Sequence, residues 1–304
     1  MLKNIRIEST SKATKLNLPL NRANIFIGHE GCGKSAILEE ISKKLPESRF
    51  LDGFCPINHL RQRTHEILLD VSQTWRSERE KYEKEYTTVE TVYDYDPITG
   101  EPKSPEGRQV VKKPGFVGPF GEWNEEGAYN LTIARCLDVM QSIGAIDYGE
   151  FDDCKNYALF MRNGIAIPWN ELSRGQMQTI QMLYEINLGK SQEIIMNRAE
   201  CACHPVVLGQ IAHNILVSPK QYFIVTDTVL LNGLLDLHLH EVMSDFLKKD
   251  LFGEINLFIV YMELGDAGIG TEARTKTVCL SGEQLCKFAE RKDLYEMLSK
   301  FYKY

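Results

Sequence analysis

The chain has no apolar run approaching the roughly 18–20 residues that a membrane-spanning helix needs. Its opening residues, MLKNIRIEST, lack the hydrophobic core of a signal peptide. No membrane association is expected, and the expected location is cytoplasmic. A basic surplus is also missing: 35 Lys and Arg stand against 42 Asp and Glu, for a net charge of −7. That balance argues against a protein that coats nucleic acid through general positive charge. Nucleic acid as a partner is thus not indicated by charge, although a local basic groove would be compatible with the total. The pairs Lys112-Lys113 and Lys248-Lys249 read as solvated surface. No segment repeats another. The eight cysteines show no pair-plus-pair spacing of a zinc site. Cys201, Cys203 and His204 supply half of such a site, and alternation in a segment leaving a sheet explains the two thiols as packing. His238 and His240, two apart at a helix start, do not share a helical face. In a reducing compartment most of the cysteines are expected to be free thiols that pack as small hydrophobes.

What is present is an ordinary globular composition, 43% hydrophobic and 25% charged. At 304 residues the chain can bury a substantial core. Three β-like runs, NIRIES, KLNLPL and ANIFIG, come first. GHEGCGKS follows, and then AILEEISKKL, whose apolar positions 37, 38, 41 and 45 have helical spacing. A long helix is expected from about 58 to 90, then a Pro/Gly-rich segment that reads as a protruding hairpin or a partly mobile insertion, then a helix over 121–143. NYALFMRNGIAIPWN presents two strand-like runs joined by Asn163-Gly164, a strong hairpin signal, and leads into the amphipathic ELSRGQMQTIQMLYEINLG. From 190 onward EIIMN, PVVLGQIAHNIL, QYFIVT and VLLNGLLD alternate strand and helix, which argues for a parallel sheet with helical crossovers. INLFIVYMEL and TKTVCL add strands, and RKDLYEMLSKFY adds a last helix. The expected organisation is one domain over 1–304, with a helical and hairpin insertion at about 70–125.

Gly28, Gly33, Lys34 and Ser35 satisfy G-x-x-x-x-G-K-[ST], with a strand before and a helix after. Glycines let successive backbone N–H groups turn toward phosphate oxygens, and the following helix adds its positive end. Gly28, Gly31, Cys32, Gly33, Lys34, Ser35 and Ala36 are therefore the expected nucleotide-binding residues. Lys34 would lie against the β and γ phosphates, and the Ser35 hydroxyl would ligate Mg²⁺. Cys32 is open to two readings, a redox-sensitive thiol or a small filler.

Residues 172–176 read LSRGQ. Ser173 and Gln176 make a capping box, which accounts for both. It leaves Gly175 unexplained, because glycine is unfavourable in a first helical turn unless something must approach its backbone.

With these residues the sequence resembles the ABC-type ATPase heads of the SMC, RecF and OLD-like group. The resemblance runs from about residue 1 to 285 and is carried by IFIGHEGCGKSAILEEI, RNGIAIPWNELSRGQ and AECACHP before a helix. It implies an α/β P-loop NTPase fold with a largely parallel central sheet, an N-terminal antiparallel β part and a helical lobe carrying the signature. It further implies ATP and Mg²⁺ as cofactors, and a homodimer in which Ser173, Gly175 and Gln176 act in trans on the partner's nucleotide. Relatives place two acids after the hydrophobic strand. Glu200, His204 and Pro205 fix the register here, so Asn197 stands at the Mg²⁺-supporting acid and Arg198 at the catalytic glutamate. Asp227 stands where relatives carry a γ-phosphate-sensing histidine, and His29-Glu30 where they often carry Pro-Asn. An arginine cannot accept a proton from water. A salt bridge between Arg198 and Asp227 is one expectation for these exchanges; independent drift after loss of activity is the other.

The resemblance thus implies an ATP/Mg²⁺-binding subunit of a nucleotide-dependent dimer or assembly, and the departures at Asn197, Arg198 and Asp227 imply that hydrolysis is absent or very slow. Its setting by resemblance is DNA repair or defence against mobile DNA, beside a nuclease or effector protein, since the chain shows no nuclease motif of its own. Two alternatives stand beside it: a working ATPase switch using Glu200 or a partner's acid, and a structural adaptor with nucleotide as a stabilising cofactor.

Overall fold

A computed structural model describes residues 1–9, 14–86, 88–102, 108–112, 148–152, 157–162, 165–203, 205–226, 254–264, 273–281 and 284–285. The chain divides into two compact units: of the described residues, the first takes 1–64 and those from 172 on, the second those between. In chain order, β1 (Asn4–Ser9), β2 (Thr14–Pro19), β3 (Ala23–Gly28), α1 (Lys34–Lys44) and β4 (Arg49–Asp52) open the first unit. α2 (Ile57–Tyr86) starts there and continues in the second unit, with β5 (Thr88–Val92), β6 (Arg108–Lys112), β7 (Tyr148–Asp152), β8 (Tyr157–Arg162), β9 (Ile165–Ile167) and a 3-10 turn at Trp169–Glu171. The first unit is completed by α3 (Arg174–Asn187), β10 (Glu193–Asn197), α4 (Pro205–Val217), β11 (Gln221–Val225), β12 (Ile255–Leu264) and β13 (Ala273–Ser281).

Six strands form the central sheet of the first unit in the order β13-β12-β3-β11-β10-β4. All neighbours are parallel except β12 and β13. The fold is therefore mixed α/β with a largely parallel central sheet. Buried parallel strands read as near-continuous apolar runs, and INLFIV, QYFIV and EIIMN are such runs. α1 packs on β3, β10 and β11 and also meets β1. Its apolar stripe of Ile37, Leu38 and Ile41 joins Ile5, Ile7, Leu16 and Leu18 of the antiparallel β1–β2 hairpin in one buried cluster. Phe26 and Phe258 on adjacent strands stack there with ring centres 4.8 Å apart.

The second unit holds the continuation of the helix expected from 58, and two antiparallel sheets, β5–β6 and β7-β8-β9. β8 and β9 pair as the two runs around Asn163-Gly164 require; those two residues lie outside the described set, as do the helices expected over 121–143, at VLLNGLLD and at the C-terminal end. The helix opened by LSRGQ groups with the sheet unit, packing on α4 and β4.

Ionised groups brace the amino ends of the parallel strands. Arg22, leading into β3, donates to Ile215 O at 3.0 Å and Ser218 O at 2.6 Å and pairs with Glu254 before β12. Buried Glu185 near the end of α3 receives Arg49 at the start of β4 and Arg63 of α2, each at 2.9 Å. These pairs satisfy buried charge and need no functional explanation. The carboxyl ends of the strands are different. β3 lies between β12 and β11 although the chain leaves it for the far edge at β4, so the order reverses beside β3. In open α/β sheets ligands bind outside the carboxyl ends at such a switch point.

A candidate nucleotide-phosphate site

The loop between β3 and α1 turns at the carboxyl end of β3. Gly33 caps α1 with φ of 98°, in the left-handed region where only a residue without Cβ sits freely, and no side chain caps the helix. The first N–H groups of α1 are thus left to face whatever occupies the loop. Thr275 of β13 donates to Cys32 O at 3.1 Å and holds the loop from behind. Cys32 itself is buried in the main apolar cluster, which favours the filler reading over a redox thiol.

Lys34 is 6% exposed, and its ammonium lies across the loop, donating to Gly28 O at 2.6 Å and His29 O at 2.5 Å. Burial holds its pKa below the ordinary 10.5; the Cys32 thiol opposes that shift, and nearby Arg198 adds to it. The next residue, Ser35, donates from Oγ to Asn197 Oδ1 at 3.2 Å. Asn197 ends β10 opposite Asp52 at the end of β4, and its Nδ2 donates to Asp52 Oδ1 at 3.3 Å. A serine hydroxyl, an amide oxygen and a carboxylate thus meet at the carboxyl end of the sheet. Oxygen donors with a single carboxylate suit Mg²⁺, which takes one or two carboxylates and completes its shell with phosphate and water. Among the described residues no group of three His, Cys, Asp or Glu could hold a metal alone. Asp52 escapes the sequence reading altogether. It closes a four-residue strand with no apolar period, and only the β4–β10 register brings it to Asn197.

Glu30, Gly31, Gly33, Lys34, Ser35 and Ala36 line a cleft of about 360 Å³ together with Phe54, Arg198 and Val225. Arg198 has φ of 50°. Its N–H donates to Val225 O at 2.9 Å and its carbonyl accepts from Cys201 N at 3.1 Å, which fixes the turn leaving β10. The guanidinium pairs with Glu30 at 3.5 Å. Asp227 and His204 lie outside the described residues, so the pairing expected of Arg198 with Asp227 is not described; the partner found is Glu30. Glu200 is buried at 3% exposure, accepts from Thr226 Oγ1 at 2.5 Å, and is not among the cleft-lining residues.

Four residues of LSRGQ, Ser173 to Gln176, have work within their own chain. Ser173 and Gln176 form the expected capping box, with Gln176 N donating to Ser173 Oγ at 3.3 Å and Ser173 N to Gln176 Oε1 at 2.8 Å. Arg174 donates to Gly53 O at 2.9 Å and Cys55 O at 2.6 Å, clamping the loop after β4. Gly175 is explained by close approach: a Cβ there would lie 2.2 Å from Ala202 O. Cys203, in the same contact, is pushed up to about 11 by burial, which keeps it an inert thiol. Ser173 remains exposed at the helix start.

No family model matches the chain, and no curated protein matches it. Among solved structures it is similar to MJ1267, an ATP-binding cassette of an ABC transporter, at 11% identity over 94% of this chain and 90% of that one, with a TM-score of 0.39. It is also similar to the Smc head bound to the C-winged helix domain of ScpA, at 11% identity over 90% of this chain and 94% of that one, with a TM-score of 0.38. At that level of superposition neither likeness bears on the site, whose reading rests on the chain's own residues.

Proposed function

We propose that the chain binds ATP with Mg²⁺ at the loop Gly28–Ala36 and uses the bound nucleotide to hold a dimer or larger assembly together, with hydrolysis absent or very slow. The observation that carries this reading is the convergence at the carboxyl end of the sheet of an uncapped helix start, a buried lysine and the Ser35–Asn197–Asp52 oxygen cluster. Lys34 neutralises phosphate charge, and the cluster is suited to orient the metal. The metal would supply charge neutralisation between phosphate oxygens. No carboxylate among the described cleft-lining residues is placed to take a proton from water except Glu30, which is 88% exposed and paired to Arg198. Glu200, the acid on which an active switch would rely, is committed to Thr226 beneath the turn. The exposed Ser173 end of α3 is the surface through which a second copy would close on the nucleotide. DNA repair or defence against mobile DNA, with a nuclease or effector as partner, is the setting that the resemblance suggests.

Light scattering of the purified protein tests the assembly role. Added ATP and Mg²⁺ should raise the particle mass to at least a dimer, and Lys34→Ala should stay at its starting mass. A mass indifferent to nucleotide in both proteins would favour a structural adaptor instead.

A further inference from the structure

We propose that Arg198 is a ligand for the terminal phosphate and makes the site select a nucleoside triphosphate over a diphosphate. The proposal rests on the nucleotide-binding reading above and assigns a positive task to the position where an acid is missing. Arg198, just after β10, lines the same cleft as Lys34 and Ser35 of the loop that follows β3. Among the described residues, two cations, Lys34 and Arg198, line the cleft with one carboxylate, Glu30. The Glu30 pair, at 3.5 Å with an 88% exposed carboxylate, is a weak and readily exchanged contact. Phosphate oxygens offer the guanidinium a stronger, two-pronged acceptor.

The backbone supports the same conclusion. A bulky residue with positive φ is uncommon and persists only where its surroundings fix it. Here the N–H is tied to Val225, the carbonyl is bonded to Cys201, and that carbonyl lies against Gly53. The turn by itself calls for glycine or asparagine. What arginine adds is a charged fork in the cleft. A guanidinium gives protons to acceptors and takes none from water, so it grips a phosphate without activating a nucleophile.

The test is equilibrium binding of Mg-ATP and Mg-ADP to the wild-type protein, to Arg198→Asn and to Glu30→Gln, with melting curves confirming that each variant folds. Asparagine suits the left-handed backbone, so the turn should survive. Wild type should prefer ATP by about 10-fold or more, as loss of a charge-assisted contact predicts. Arg198→Asn should remove that preference by weakening ATP, with ADP changed less than about twofold. Glu30→Gln should tighten ATP by freeing the guanidinium. Equal wild-type affinity for the two nucleotides, or equal weakening of both by Arg198→Asn, would overturn the proposal while leaving nucleotide binding intact. Failure of the wild type to bind either nucleotide would instead sink the reading beneath it.

Discussion

Replacing Lys34 with alanine is expected to weaken ATP binding by about 100-fold or more, a loss of roughly 3 kcal/mol that matches removal of two charge-assisted hydrogen bonds. The lysine is the first residue of α1, is buried, and has its ammonium at the mouth of the loop. No other described cation on the loop side of the cleft could replace it. The fold should tolerate the change, because burial already penalises the charged form. Titration calorimetry on the folded variant measures the effect. The same lysine sets a pH dependence. Phosphate binds the protonated ammonium, whose pKa in the free protein lies below 10.5. Affinity should therefore fall as pH rises through that lowered value, before an ordinary lysine would lose its charge. Binding indifferent to Lys34→Ala would show that the loop holds no phosphate.

Gly53→Ala should destabilise the first unit by about 3 kcal/mol or more, a fall in melting temperature on the order of 6 °C. A Cβ there would sit 1.7 Å from Arg198 O, and a backbone atom cannot swing aside as a side chain can. Moving the loop would strain three hydrogen bonds at 2.9 Å: Gly53 N to Asn197 O, and Arg174 and Gln178 to Gly53 O. Asp52 and Arg198 flank the contact, so nucleotide affinity should fall with stability. Gly209→Ala is the control of opposite sign. That glycine lies within α4 with nothing near its missing Cβ, and alanine should stabilise by about 0.5–1 kcal/mol. Thermal melts of the two variants should move in opposite directions.

The loop, the helix after it and the parallel strands were legible because their signals are local: glycine spacing, a 3.6-residue apolar period, and β-rich runs bounded by polar residues. Asp52 was not legible. Its strand is RFLD, four residues with charge at both ends, and its importance comes from pairing with β10 more than 140 positions away. Capping leaves Gly175 unexplained, and the Ala202 carbonyl supplies the reason, a contact no local pattern encodes. Arg198 after the β10 run is plain in the sequence, but its Glu30 partner is not, because that pair spans two loops from different strands.

The most direct test of retention without cleavage is to incubate the purified protein with ATP and Mg²⁺ for many hours, extract the nucleotide and resolve it by chromatography. Protein-bound intact triphosphate is predicted, absent from Lys34→Ala, with diphosphate no higher than in a protein-free control. Diphosphate and free phosphate accumulating in wild type but not in Lys34→Ala would contradict the account.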